Sequence, residues 1–103
     1  LDSIIAKIEK LLRVYPRDLQ FMVMLTTAPE VQKYYKLFYG IDNNYIAFYS
    51  PQKKTAFISV DDVDEHVLTH ELTHVVIDEY FRGLASATIQ EILAQFVEAN
   101  VEF

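Results

Sequence analysis

The sequence predicts a small α+β domain in which a mostly antiparallel sheet packs on helices. The chain of 103 residues has the length of a single domain, and 51% of it is hydrophobic, with seven Tyr and seven Phe to fill a core. Short apolar runs bounded by turn residues, which are typical of strands, occur up to residue 60. After residue 60 the apolar positions recur at helical spacing instead, so we expect the sheet to precede two helices.

The first part of the chain divides into a helix, a strand and a second helix. Residues 3–14 place isoleucines and leucines at helical spacing and are closed by Pro16, so we expect a helix that packs on the core rather than on a membrane surface. The apolar run 19–27 predicts a buried strand. Pro29 then opens a helix that ends at Gly40.

A hairpin is expected next. After the turn residues 42–44, the segments 45–50 and 55–60 have strand character and are joined by four turn-forming residues. The second strand is the more uniformly apolar, so we predict that it lies inside the sheet and that the first lies nearer an edge.

Two helices complete the predicted domain. A helical pattern begins at Asp61 or Asp62 and continues to about Tyr80, and a last helix covers roughly 88–100 after a turn at 82–83. The first of these helices carries all three histidines of the chain.

Composition excludes several classes of function. The net charge of −6 disfavours nucleic acid as a partner, because phosphate binding requires basic residues. The absence of Cys excludes disulfides, thiol nucleophiles and thiolate metal sites. No apolar run approaches the roughly 20 residues of a membrane span. We therefore expect a soluble protein, located in the cytoplasm.

The segment HELTH contains the most informative pattern of the chain. His70 and His74 lie four residues apart, so on a helix both rings can point at one metal ion. Glu71 is one step round the helix, where it can reach a water molecule without being a ligand, as in the His-Glu-x-x-His zinc pattern. The alternative is a solvated helix face that carries these residues by chance. His66 is one turn earlier, and we interpret it as a helix-start residue because three ligands along one straight helix spread too far.

A catalytic zinc requires a third protein ligand, which a carboxylate must supply here. The last helix offers Glu91 and Glu98, two turns apart on one face. Glu91 has a competing interpretation, because Thr88 and Glu91 fit a capping box in which the carboxylate satisfies a backbone N–H. We favour Glu91 as the ligand, because the chain returns after the turn at Gly83 and the start of the last helix must then lie near the metal.

The segments THELTHVVIDEY and SATIQEILAQFVE resemble the active-site region of the gluzincin metallopeptidases, and the whole chain resembles their small stand-alone members, the minigluzincins. The resemblance implies His70, His74 and Glu91 as Zn²⁺ ligands and Glu71 as the catalytic base. It also implies an edge strand that holds an extended peptide or protein substrate. One departure is Gln95, which stands where an Asp often orients a ligating His; Asp78 matches the family pattern and is either such an orienting residue or merely solvated.

The expected function is that of a zinc-dependent metallopeptidase. The alternative is a zinc-binding, non-catalytic regulatory or interaction module. No tyrosine can be assigned as the oxyanion donor, although Tyr80 is the nearest to the motif in sequence. The segment 96–103 has two interpretations: it completes the core and then frays, or it enters the cleft of its own chain or of a second copy and makes the enzyme latent. Entry into the cleft of a second copy would link latency to a homo-oligomer.

Overall fold

The computed structural model describes residues 2–103 and shows an α+β fold of four helices and a three-stranded sheet, as the sequence predicted. The elements, in chain order, are α1 (Asp2–Leu12), β1 (Met22–Thr26), α2 (Ala28–Tyr39), β2 (Ala47–Ser50), β3 (Thr55–Ser59), α3 (Glu65–Phe81) and α4 (Ala87–Asn100).

The sheet is mixed rather than mostly antiparallel. Its strand order is β1-β3-β2, in which β2 and β3 form the expected antiparallel hairpin and β1 pairs with β3 in parallel. A parallel pair needs a crossover, and here α2 and β2 separate the two partners along the chain. The central position of β3 and the edge position of β2 confirm the prediction made from the apolar character of the two strands.

The prediction that the apolar run 19–27 is a buried strand was wrong. β1 covers only the middle of this run and lies at an edge of the sheet, where Met22 is 67% exposed and Leu25 is also exposed. Val23, between them, packs against the core. A run of apolar residues indicates burial on both faces of a strand, but a short strand at an edge can leave residues of either face exposed, here Met22 and Met24 on one and Leu25 on the other.

The core lies on both faces of the sheet. Alternate residues of β3 point to opposite sides, so Ala56 and Ile58 join the larger cluster while Phe57 joins the smaller one. The larger cluster takes its helical residues from α1, α3 and α4, and the smaller one takes them from α2. The sheet is therefore enclosed between α2 on one side and the helix that carries the histidines on the other.

The two helices of the expected metal site do not begin where the sequence predicted. α4 begins slightly earlier, at Ala87 rather than at about residue 88, and α3 begins later. α3 begins at Glu65 rather than at Asp61 or Asp62, because the side chain of Asp64 caps it by accepting a hydrogen bond from the backbone N–H of Val67 at 2.8 Å. Asp62 instead accepts a hydrogen bond from the Ser59 hydroxyl at 2.7 Å.

The cap of α4 decides between the two interpretations of Glu91. Ser86, not Thr88, is the N-cap, and its hydroxyl accepts a hydrogen bond from the backbone N–H of Ile89 at 3.2 Å. The capping box that was considered for Thr88 and Glu91 is therefore absent, and Glu91 lies in the second turn of α4. Its carboxylate is free to act elsewhere.

Candidate metal centre

Three side chains from α3 and α4 converge on one point. His70 and His74 lie one turn apart on α3, and their Nε2 atoms are 3.2 Å from each other. From α4, the carboxylate of Glu91 approaches both rings, at 3.0 Å from Nε2 of His74 and 3.7 Å from Nε2 of His70. These three residues form a group that could hold a metal ion. The predicted ligand set is thus brought together by the fold.

The spacing of the three groups fits zinc. Zn–N and Zn–O bonds of about 2.0–2.2 Å in a tetrahedral site place neighbouring ligand atoms roughly 3.3 Å apart. The observed separations of 3.0, 3.2 and 3.7 Å bracket that value. The donor set is two imidazoles and one carboxylate, a combination that zinc accepts, and it leaves one tetrahedral position for water or substrate.

The other ring nitrogens are held by acceptors on α4. Nδ1 of His74 donates to the side-chain oxygen of Gln90 at 2.9 Å, and Nδ1 of His70 donates to the carboxylate of Glu98. A ring that donates through Nδ1 in its neutral form has its lone pair on Nε2. Two such lone pairs 3.2 Å apart repel each other unless a cation lies between them. The hydrogen bonds therefore orient both histidines as metal ligands.

Glu98 and Gln95 do not have the roles considered for them in the sequence. Glu98 contacts the side of His70 that faces away from the convergence point, so it is an orienting residue and not the third ligand. Gln95, which stands where the gluzincins often have an orienting Asp, is exposed. A helix turns about 100° per residue, so a position seven residues after Glu91 returns closer to the same direction than a position four residues after it. That geometry favours Glu98 over Gln95.

Asp78 and His66 lie outside the group. Asp78 contacts neither imidazole, since both Nδ1 atoms are already bonded to other residues. It is partly buried near the end of α3. Burial and the neighbouring Glu79 carboxylate raise its pKa, and Lys54 opposes part of that rise. His66 is exposed, and its ring packs edge-on against Phe103 with 5.5 Å between centroids. The interpretation of His66 as a non-ligand agrees with this position.

Glu71 is buried beside the convergence point. Its exposed fraction is 7%, and burial raises its pKa to about 7, with the Glu91 and Glu98 carboxylates adding to the rise and His70 opposing it. A general base is most effective when its pKa lies near the working pH. Glu71 contributes no atom to the metal-ligand group, which agrees with the separate role predicted for it.

A cleft of about 590 Å³ opens over these residues. His70, Glu71, His74 and Glu91 line it together with four tyrosines. Tyr49 belongs to β2, and we call the other three the tyrosine wall: Tyr35, Tyr39 and Tyr45. Tyr35 and Tyr39 lie four residues apart on α2, a spacing that the sequence presents as an ordinary core face. Their presence at the site was missed because it depends on how α2 packs against the sheet.

Tyr80 and the C-terminal residues 101–103, which the sequence singled out, lie away from the cleft. Tyr80 packs edge-on against Phe81 at 4.9 Å and does not line the cleft. Phe103 packs against His66, and the amine of Lys7 lies 5.3 Å from the centroid of its ring. Val97 is fully buried, but Phe96 is exposed, so only part of the segment completes the core. Residues 101–103 contact α1 and α3 and do not cover the candidate metal-ligand group of their own chain.

No helix within residues 2–103 is both long and apolar enough to cross a membrane. Comparison of the chain with protein-family models, with curated proteins and with solved structures found no match.

Proposed function

We propose that this chain is a zinc-dependent endopeptidase of the gluzincin type. The observation that carries the proposal is the convergence of Nε2 of His70, Nε2 of His74 and the Glu91 carboxylate, with both Nδ1 atoms bonded to acceptors. This arrangement prepares two imidazoles and a carboxylate for a cation and leaves a position open for a reacting group.

The protein residues divide the chemistry between them. Zinc held by His70, His74 and Glu91 would supply Lewis-acid activation of water and of the substrate carbonyl. Glu71 takes a proton from the attacking water and passes it to the departing amine, for which a pKa of about 7 is well suited. Glu98 and Gln90 keep the two imidazoles in the orientation that this chemistry requires.

The cleft provides a place for an extended peptide. β2 is an edge strand, and three of its residues, Ala47, Phe48 and Tyr49, line the cleft together with the metal-binding side chains. An edge strand has unpaired backbone groups to which a peptide can add by strand pairing. Internal peptide bonds of unfolded chains are the substrate that fits this arrangement, because an extended segment of such a chain can pair with the edge strand.

The test combines metal analysis with an assay of cleavage. The purified protein is expected to retain about one zinc per chain and to cleave an unfolded, casein-like substrate in a chelator-sensitive manner. Zinc at this stoichiometry without cleavage would contradict the peptidase proposal and favour a zinc-binding, non-catalytic module. Absence of zinc, with no affinity for added zinc, would contradict the metal centre itself.

A further inference from the structure

Among the residues that the structure describes, the cleft has no strongly basic side chain that would repel a cation. Glu71 and Glu91 are its carboxylates, and within residues 2–103 no Lys or Arg lines it. The chain as a whole has a net charge of −6. The chain stays negative with one Zn²⁺ bound, so its overall field attracts cationic groups and repels anionic ones. The cleft also lacks any basic residue to bind the terminal carboxylate of a peptide, which agrees with cleavage at internal bonds.

The tyrosine wall adds a second feature that suits cations. The ring of Tyr35 lies between those of Tyr39 and Tyr45, with centroid distances of 4.6 and 4.7 Å. The two outer tyrosines are 41% and 48% exposed, respectively, so they offer ring surface to the cleft. Aromatic faces attract ammonium and guanidinium groups, and they also contact the alkyl stems of Lys and Arg.

A lysine of the chain itself already packs on an aromatic ring next to the cleft. Phe38 packs with Phe48, a cleft residue, at 6.2 Å between ring centroids. The amine of Lys53 lies 5.8 Å from the centroid of the Phe38 ring. The aromatic rings beside the cleft therefore accommodate the amine of Lys53 on Phe38, which itself does not line the cleft.

We infer that the cleft selects peptides that place a Lys or Arg side chain against Tyr39 and Tyr45. This inference rests on the proposed function, since it names the substrates of the proposed metal centre. The alkyl stem packs on the rings, and the cationic group meets their electron-rich faces in the negative field of the whole chain. A neutral side chain of equal length has only the first contact, and an acidic side chain is repelled.

Binding of matched peptides tests the inference without requiring turnover. Three labelled octapeptides with blocked termini differ at one central position, which is Lys, the neutral isostere norleucine or Glu. Fluorescence anisotropy is measured with zinc-loaded Glu71→Gln protein, which cannot use Glu71 as a base. The Lys peptide is expected to bind about three- to tenfold more tightly than the norleucine peptide, and the Glu peptide more weakly than both.

Variants of the wall separate a cation–π contact from general charge attraction. The double variant Tyr39→Ala, Tyr45→Ala is expected to lose most of the preference for Lys over norleucine, whereas Tyr39→Phe, Tyr45→Phe should keep most of it. Tyr15→Ala is the matched control, because Tyr15 is exposed and does not line the cleft. Circular dichroism verifies that each variant is folded.

The outcomes separate this inference from the proposed function. Equal dissociation constants for the Lys and norleucine peptides would overturn it, as would failure of every peptide to bind or an equal loss of preference in Tyr15→Ala. Preferential binding of the Lys peptide by a wild-type protein that cleaves nothing supports the inference and overturns the peptidase proposal. Cleavage without preference for cationic residues supports the peptidase proposal and overturns this inference.

Discussion

The carboxylate of Glu98 accepts a hydrogen bond from Nδ1 of His70, across the interface between α3 and α4. This contact fixes the ring so that Nε2 faces the other two candidate ligands. Loss of an orienting partner of this kind typically lowers metal affinity 10- to 100-fold. We expect Glu98→Ala to weaken zinc binding by about that factor, measured by competition with a coloured chelator. Glu98→Gln should lose less, because its amide oxygen still accepts the hydrogen bond.

Glu91→Ala is expected to weaken zinc binding more than Glu98→Ala does. The reason is that it removes an atom from the ligand group itself, leaving two imidazoles that supply only two of the three protein ligands of a catalytic zinc. The same chelator competition compares the two variants side by side. Equal affinities, or a larger loss in Glu98→Ala, would show that the roles of the two carboxylates have been exchanged.

Glu71→Gln should keep zinc and lose hydrolysis. The side chain contributes no atom to the ligand group, yet among residues 2–103 it is the only carboxyl group that lines the cleft besides Glu91. Zinc content by atomic emission and the initial rate of casein cleavage are measured on the same sample, with a rate loss of at least about 100-fold expected. His70→Ala is the control and should lose both properties. A Glu71→Gln protein that is as depleted of zinc as His70→Ala would contradict the assignment.

The metal-free protein should become less stable as the pH rises from about 5 to 8, in part because of Glu71. Burial raises the pKa of this carboxyl from 4.5 to about 7, so the folded state holds the proton more tightly than the unfolded state does. Stability then falls as the pH rises through this interval, and the loss is complete above about pH 7. Glu71→Gln removes the effect, and its free energy of unfolding at pH 8 should exceed that of the wild type by roughly 2–3 kcal/mol.

Urea unfolding in a chelator at pH 5 and pH 8 measures this difference. Comparing the variant with the wild type cancels the contributions of the other titrating groups. If the stability curves of the two proteins run parallel between these pH values, Glu71 does not bind its proton more tightly on folding.

Phe103→Ala should leave both zinc binding and cleavage unchanged. Phe103 packs on His66 and Lys7, away from the cleft, so the expected effect is a loss of stability of about 1 kcal/mol or less. His66→Ala is the companion variant and should also leave zinc affinity unchanged. A marked rise in cleavage rate for Phe103→Ala would instead support the interpretation that this segment blocks the site, in its own chain or in a second copy.

The candidate metal-ligand group could be predicted from the sequence because its geometry is largely local. Two histidines four residues apart share a helix face wherever that helix lies in the fold, and only the third ligand depends on tertiary packing. The choice between Glu91 and Glu98 followed from the return of the chain after Gly83, and the structure places Glu91 at the ligand group. The orienting role of Glu98 was missed, because it depends on the rotation of α4 about its own axis.

The parts of the fold that the sequence misassigned all depend on which elements lie next to one another in the folded chain. The apolar run that contains β1 looks the same for a central strand and for an edge strand, since residue type does not reveal which neighbours a strand has. The start of α3 was misplaced because Asp61, Asp62 and Asp64 are all acceptable caps. Only the structure shows that the last of them accepts the hydrogen bond. The parallel pairing of β1 with β3 has no local signal either.

The division of the centre between two helices has a consequence for motion. α3 supplies both imidazoles, whereas α4 supplies the carboxylate ligand and both acceptors that hold the rings. A bound ion therefore cross-links two segments that the chain itself joins only through the short turn after Phe81. Removing the ion leaves α4 held by its apolar contacts and by the two hydrogen bonds from the imidazoles, with Ile89, Ile92 and Phe96 exposed on its outer side. The backbone amides of α4 should then exchange with deuterium much sooner than those of α3, so the last helix would report metal occupancy through its own local opening.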